Sequence, residues 1–285
     1  MSNLPKLFDL SDRVAIVTGG AGLLGAEFCQ TLVMAGARVV IADIDADAAM
    51  SLAKSLSDQS SQNDQSDTKH VISTAIGLWT DVTDIDSVQN TVDTTLSTYG
   101  RLDILVNSAA MDPKFDPQHD GGHLNAFEDY PLEGWRQALD VNLTGLFLCC
   151  QVGVRPMLAQ RQGVIINVCS IYGMVGPDQK IYRREGENPQ FKPVYYSVTK
   201  AGVLGMTKYL ATYYAGKNIR VNALTPGGVF NQHDEEFVQA YSARTVLGRM
   251  AEKDEMNGSL LFLASDASAY MTGANLVVDG GWTAW

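Results

Sequence analysis

Apolar and polar positions along this chain follow two alternating rhythms. Short runs rich in Val and Ile recur at 14–17, 38–42, 102–106, 164–168 and 220–224. Each is followed within two residues by Gly, Asp, Asn, Ser or Pro. Runs this short and continuous predict strands covered on both faces. Between them, apolar residues return every third or fourth position. Ile85, Val88, Val92, Leu96 and Tyr99 mark one helical face, and 26–34, Leu132–Gln160 and 195–215 read the same way. Strand and helix in regular succession predict an α/β fold, a doubly wound parallel sheet flanked by helices. At 285 residues and without an internal repeat, the chain fits one domain over 1–285.

Three stretches interrupt the rhythm. Residues 57–67, at the start of an insertion near 57–70, are polar and low in complexity, which predicts a surface loop far from any chemistry. Residues 111–125 are rich in Pro, Asp, His and Gly and are expected to edge a pocket. His119 and His123 stand four apart there, but without helical context or a third ligand no metal site is expected. The third stretch, 174–193, is treated below.

Charge narrows the partners. With 21 basic and 32 acidic residues the net charge is −11, which argues against nucleic acid or an anionic membrane as the main partner. Cys29, Cys149, Cys150 and Cys169 lie in apolar segments without metal or disulfide spacing, so they read as core thiols of a reducing compartment. The first residues carry no apolar signal core, and no uninterrupted apolar run reaches spanning length. A soluble, cytoplasmic protein is expected.

Chemistry concentrates at the strand ends. The first strand runs into Thr18-Gly19-Gly20-Ala21-Gly22-Leu23-Leu24-Gly25 and then a helix, a context in which glycines let backbone N–H groups approach a pyrophosphate. The second strand ends in Asp43, eighteen positions past Gly25 (43 − 25), placed to accept hydrogen bonds from ribose hydroxyls. No Arg or Lys lies between Gly19 and Gly25 to meet a 2′-phosphate, so NAD is expected over NADP. On the helix at 195–215, Tyr196 and Lys200 stand one turn apart on one face, a phenol with an ammonium beside it. Tyr195 competes with Tyr196, but its fourth successor is Thr199.

Together these residues resemble the short-chain dehydrogenase/reductase family over nearly the whole chain, and the resemblance implies a Rossmann-type sheet of about seven strands. It places Gly19, Gly22, Leu24 and Gly25 at the pyrophosphate, Asp43 at the ribose, and Asp81 and Val82 around the adenine. Asn107 opens the turn after the fourth strand, and Gly227 and Val229 belong to the loop that holds the nicotinamide. The implied catalytic set is Asn142, Ser170, Tyr196 and Lys200, with Tyr196 and Lys200 also touching the cofactor. Tyr196 exchanges the proton, Ser170 holds the substrate oxygen, Lys200 depresses the Tyr196 pKa, and Asn142 holds a water that links Lys200 to solvent. Three positions depart from the family pattern: Leu23 and Ala110 replace glycines, and Asn231 stands where a threonine is usual. A homodimer or homotetramer is implied as well.

The expected function is NAD-dependent interconversion of a secondary alcohol and a ketone on a sugar-like or other polar small molecule. Two alternatives stay open, a dehydratase or epimerase step on a nucleotide-linked sugar and a non-enzymatic dinucleotide sensor. Ser170 and Tyr196 lie twenty-six positions apart (196 − 170), longer than the family commonly uses. The insertion 174–193 between them carries Lys180, Arg183, Arg184 and Lys192, with Tyr182 and Phe191. In this respect the chain resembles reductases of surface-glycan and flagellin modification. The insertion reads either as a lid over an anionic or sugar-like substrate or as a subunit contact whose arginines pair with Glu185 or Glu187.

Overall fold

A computed structural model describes residues 4–63, 74–112, 125–183 and 190–285. After a short helical turn, α1 (Leu4–Leu7), strands and helices alternate: β1 (Val14–Thr18), α2 (Leu23–Met34), β2 (Arg38–Asp43), α3 (Ala46–Asn63), β3 (Ala75–Trp79), α4 (Ile85–Tyr99) and β4 (Ile104–Asn107). The second half runs α5 (Leu132–Leu139), α6 (Leu146–Gln160), β5 (Gly163–Val168), α7 (Val194–Tyr213), β6 (Ile219–Pro226), α8 (Glu235–Ser242), α9 (Asn257–Ala264) and β7 (Asn275–Val278). The seven strands form one parallel sheet in the order β3-β2-β1-β4-β5-β6-β7.

The strand runs are continuously apolar because both faces are covered, and successive side chains feed opposite layers. In β1, Val14 and Ile16 enter the core shared with α4, α6 and α7, while Ala15 and Val17 enter the one beneath α2, α3 and α9. The same alternation sends Val40 and Ala42 of β2 to the first core and Val39 and Ile41 to the second. A slip of one residue would exchange these sets, so burial on both sides locks the register. The chain winds outward from β1 to β3 and then returns to place β4 beside β1, with Thr18 opposite Asn107. At such a reversal the connections leave the two strands in opposite directions, opening a crevice beyond their carboxyl ends.

Two local expectations are corrected. The segment 57–67 is not a loop throughout, because α3 continues to Asn63. Ala49, Ala53 and Leu56 bury one face of α3 against β2 and β3, and the Ser57 hydroxyl exchanges hydrogen bonds with the N–H and C=O of Ala75. Asp58 and Gln59 are exposed on that helix, and the remainder of the 57–70 stretch, from 64 on, lies outside the described residues. The long helix over Leu132–Gln160 is continuous but not uniformly α, since Asp140–Gly145 form a π-helical turn between α5 and α6. This 29-residue run is apolar and long enough to cross a membrane, yet half of its most apolar window is buried inside the protein.

Candidate functional site

The crevice at the strand reversal is the mouth of one continuous cleft of about 1800 Å³. It runs from the β1–α2 turn and the end of β2, past the ends of β4 and β5, to α7, α8 and the turn after β6. Gly19, Gly22, Leu24, Gly25, Asp43, Asp81, Val82, Ser170, Tyr196, Lys200, Gly227 and Val229 all line it. Asn107 and Asn142 stand one layer behind.

At one end the glycine turn is packed to the limit. A Cβ on Gly25 would fall 2.0 Å from the Gly19 carbonyl oxygen, and Gly19 itself sits at φ +62 against the backbone of Ala109. The α2 N-terminus has Gly22 at its cap position and no side chain capping it, so its first N–H groups face the cleft without an internal acceptor. Asp43 braces this turn: Oδ2 accepts from the Ala21 N–H at 2.9 Å and Oδ1 from the Asp45 N–H at 3.0 Å. A carboxylate keeps further lone pairs after those two bonds. Leu23, in place of a glycine, is exposed on the cleft wall.

At the other end, β5 delivers Ser170 and α7 delivers Tyr196 and Lys200. Ser170 caps a short 3₁₀ turn, its Oγ accepting from the Tyr172 N–H at 3.3 Å. That turn lies directly on α7, and a Cβ on Gly173 would come within 2.6 Å of the Lys200 backbone. Cys169 ties the same two elements by donating Sγ–H to the Lys200 carbonyl at 3.1 Å. The Lys200 ammonium donates to the Val168 carbonyl at 3.0 Å and stands 5.7 Å from the centroid of the Tyr196 ring.

Electrostatics at this end differ from expectation. Burial is the largest influence on Tyr196 and holds its phenol well above the ordinary tyrosine range, with the Asp112 charge adding to the rise. A hydrogen bond with Ser170 acts in the opposite direction. Lys200 is itself pushed down, first by burial. Burial therefore acts on Tyr196 in the direction opposite to the depression expected from Lys200.

Asn142 occupies the π-helical turn, which accounts for an asparagine in mid-helix. Its Oδ1 accepts from the Met111 N–H at 2.6 Å, and its Nδ2 donates to the Met111 carbonyl and to Thr199 Oγ1, each at 3.2 Å. Asn107 donates to Asn167 Oδ1 at 2.9 Å, while its own Oδ1 is buried without a hydrogen bond. Asn107, Asn142 and Lys200 share a second small cavity of about 10 Å³, the space of about one water.

Of the four insertion cations, Lys192 alone reaches the cleft among the described residues. Lys180 and Arg183 are exposed and off its wall, and Arg184, Glu185 and Glu187 lie outside the described residues, as do His119 and His123. Met111 and Asp112 line the cleft, as expected of the 111–125 stretch, while Tyr172, His233, Phe237 and Tyr241 were not anticipated there. Tyr182, from the insertion, donates its hydroxyl to Tyr172 Oη at 3.0 Å, and Trp282 stacks on Tyr241 at 4.2 Å, backing the cleft with a buried aromatic cluster. The four-residue spacing of Phe237 and Tyr241 on α8 was the available signal.

A sheet of this order with Tyr196, Lys200 and Ser170 at its carboxyl edge defines a class, and comparison with known proteins agrees. A profile described as enoyl-(acyl carrier protein) reductase matches residues 20–283, and the chain belongs to the short-chain dehydrogenase/reductase family. That family uses a nicotinamide dinucleotide. The chain is 35% identical to cis-4-hydroxycyclohexanecarboxylate dehydrogenase of Sinomonas cyclohexanicum, covering 96% of this chain and 98% of the relative. It is 34% identical to D-threitol dehydrogenase of Mycolicibacterium smegmatis, over 97% and 95% respectively. Among solved structures, a gluconate 5-dehydrogenase of Burkholderia cenocepacia in complex with NADP and tartrate superposes with a TM-score of 0.81 at 29% identity, covering 99% of this chain and 100% of that one.

Proposed function

We propose that this protein is an NAD(H)-dependent dehydrogenase that interconverts a secondary alcohol and a ketone on a polar small molecule, with Tyr196 as acid and base. The observation that carries the reading is the single cleft joining Asp43 and the glycine turn at one end to Ser170, Tyr196 and Lys200 at the other. The relatives support a polar carbinol, since they are named for a hydroxy acid and a polyol.

The residues present fit a dinucleotide. The glycine turn admits no Cβ at Gly25, and the uncapped α2 N-terminus with Gly19, Gly22 and Leu24 would hold the pyrophosphate. Asp43 would take the ribose hydroxyls, Asp81 and Val82 the adenine side, and Gly227 and Val229 the nicotinamide. Among the described residues no Lys or Arg lines the cleft near Asp43, which favours NAD over NADP. When bound, the dinucleotide supplies or accepts the hydride.

The protein's own part is proton handling. Tyr196 Oη gives its proton to the carbonyl oxygen in reduction and takes it back in oxidation, while Ser170 Oγ hydrogen-bonds that oxygen as charge develops. Lys200 holds positive charge beside the phenol, and the cavity between it, Asn107 and Asn142 gives the proton a route through one water. Domain extent 1–285, a cytoplasmic setting and self-association complete the reading. The resemblance to surface-glycan enzymes rests on insertion length alone. The test is a screen of polyols, sugars, hydroxy acids and nucleotide sugars with both cofactors, followed by reduced-nicotinamide absorbance. Net reduction of NAD by a polar alcohol is expected; a substrate transformed with no net change in cofactor absorbance would replace this reading with the epimerase or dehydratase one.

A further inference from the structure

We propose that Lys192 is the anchor for a carboxylate on the substrate, with Asp112 holding that place in the substrate-free protein. The substrate class is then hydroxy acids, secondary alcohols with a carboxylate a few bonds from the carbinol. This inference rests on the dehydrogenase reading above.

The ammonium of Lys192 lies 4.1 Å from the centroid of the Tyr196 ring, so an anion bound to it sits a few bond lengths from the reacting oxygen. Among the described residues, Lys192 and Lys200 are the only lysines or arginines on the cleft wall, and Lys200 is engaged with the Val168 carbonyl. Glu133, Asp140, Asp234 and Glu236 line the same cleft and add no further cation for an anion to meet.

Lys192 and Asp112 form an ion pair whose two halves are unequally buried. The lysine side chain is 9% exposed and the aspartate 53%. A desolvated ammonium requires an anionic partner, whereas a half-exposed carboxylate recovers its hydration at little cost when released. The lysine is therefore the fixed member of the pair and the anion is the exchangeable one. A substrate carboxylate replaces Asp112 without leaving a buried charge alone.

The site is built on both sides by the same device, a side-chain amide that bonds both the N–H and the C=O of one residue. Gln179 accepts from the Lys192 N–H at 2.8 Å and donates to the Lys192 carbonyl at 3.2 Å. Asn142 does the same for Met111, the neighbour of Asp112. Lys192 thus reaches the cleft from an anchored backbone, whereas Lys180 and Arg183, the other described cations of the insertion, do not line it.

The experiment compares matched alcohols that differ in the carboxylate: gluconate against glucitol, threonate against threitol, and 4-hydroxycyclohexanecarboxylate against 4-methylcyclohexanol. The quantity read is the ratio of kcat/KM within each pair. For the wild type at least one pair favours the acid. Lys192→Met lowers that ratio by about 10- to 100-fold, the weight of a lost charge-assisted contact, and Lys192→Arg restores part of it. Any effect of Lys192 on Tyr196 acts on both members of a pair and cancels. Asp112→Asn removes the competing anion and lowers KM for the acid. Neutral alcohols turned over as well as or better than every paired acid by the wild type, or a ratio unmoved in Lys192→Met, overturns the anchor while leaving the dehydrogenase standing. Failure of the wild type to oxidise any alcohol with either cofactor overturns the underlying reading instead.

Discussion

Adjacent tyrosines on α7 have different fates because a helix turns each residue to a new face. Tyr196 opens onto the cleft, whereas Tyr195 is 1% exposed, its ring 5.8 Å from that of Tyr130. Tyr196→Phe is expected to cut turnover roughly 10²–10⁴-fold, the usual weight of acid/base catalysis, with cofactor binding retained. Tyr195→Phe removes a hydroxyl away from the chemistry and is expected to be far milder; equal losses in steady-state kinetics would undo the assignment. Because burial raises the Tyr196 pKa, the protonated phenol persists as pH rises through the ordinary tyrosine value of 10.0. Ultraviolet difference titration of cofactor-free wild type against Tyr196→Phe should show no extra tyrosinate below that pH. Asp43→Ser removes the charge that repels a 2′-phosphate and should move the NADP-to-NAD preference by about tenfold or more. An unchanged preference in cofactor kinetics would show that Asp43 only braces the Ala21 turn. These residues were legible because each closes a predicted strand or sits at a fixed helical spacing. The pairing of Asp112 with Lys192, and the choice of Lys192 among four cations, were not, since both depend on how two loops meet across the cleft.

Strands were the most legible elements, because continuous burial on two faces leaves an apolar run that nothing else explains at that length. Helical periodicity served less well where tertiary packing intervenes. In α3 the polar residues after Leu56 hid a solvent-facing turn, and in the run over Leu132–Gln160 nothing in the spacing marked the π-helical turn that presents Asn142. The segment from α8 to Trp282 was hardest to read, because its role, backing the cleft with Phe237, Tyr241 and Trp282, is assembled from distant pieces. At this scale the contact between the Ser170 turn and α7 is the most sensitive joint. Gly173→Ala would place a methyl 2.6 Å from the Lys200 backbone, so one element must move. The expected cost is about 1–3 kcal/mol of stability and a drop in turnover that exceeds it. Chemical denaturation beside kinetics checks this, and a fully active, equally stable variant would contradict it.

The molecule as a whole leaves α6 and α7 with apolar side chains in solvent: Phe147, Val198, Tyr209 and Tyr213 are all exposed, the two tyrosines stacked 5.7 Å apart. Carrying a net charge of −11, the chain gains solubility elsewhere on its surface. A homodimer or homotetramer is expected, and light scattering at micromolar concentration should give at least twice the 30.9 kDa chain mass; a monomeric mass removes the proposal. Ser170 and Tyr196 bracket the stretch that carries Gln179, Tyr182 and Lys192, so on the proposals above the segment that would select the substrate begins and ends at the residues that would transform it. Its two ends are pinned to β5 and α7, and lengthening a pinned loop costs only about 0.6 kcal/mol per doubling. A lineage can therefore rewrite this stretch, by insertion as readily as by substitution, and acquire a new substrate while the proton-transfer apparatus is inherited intact.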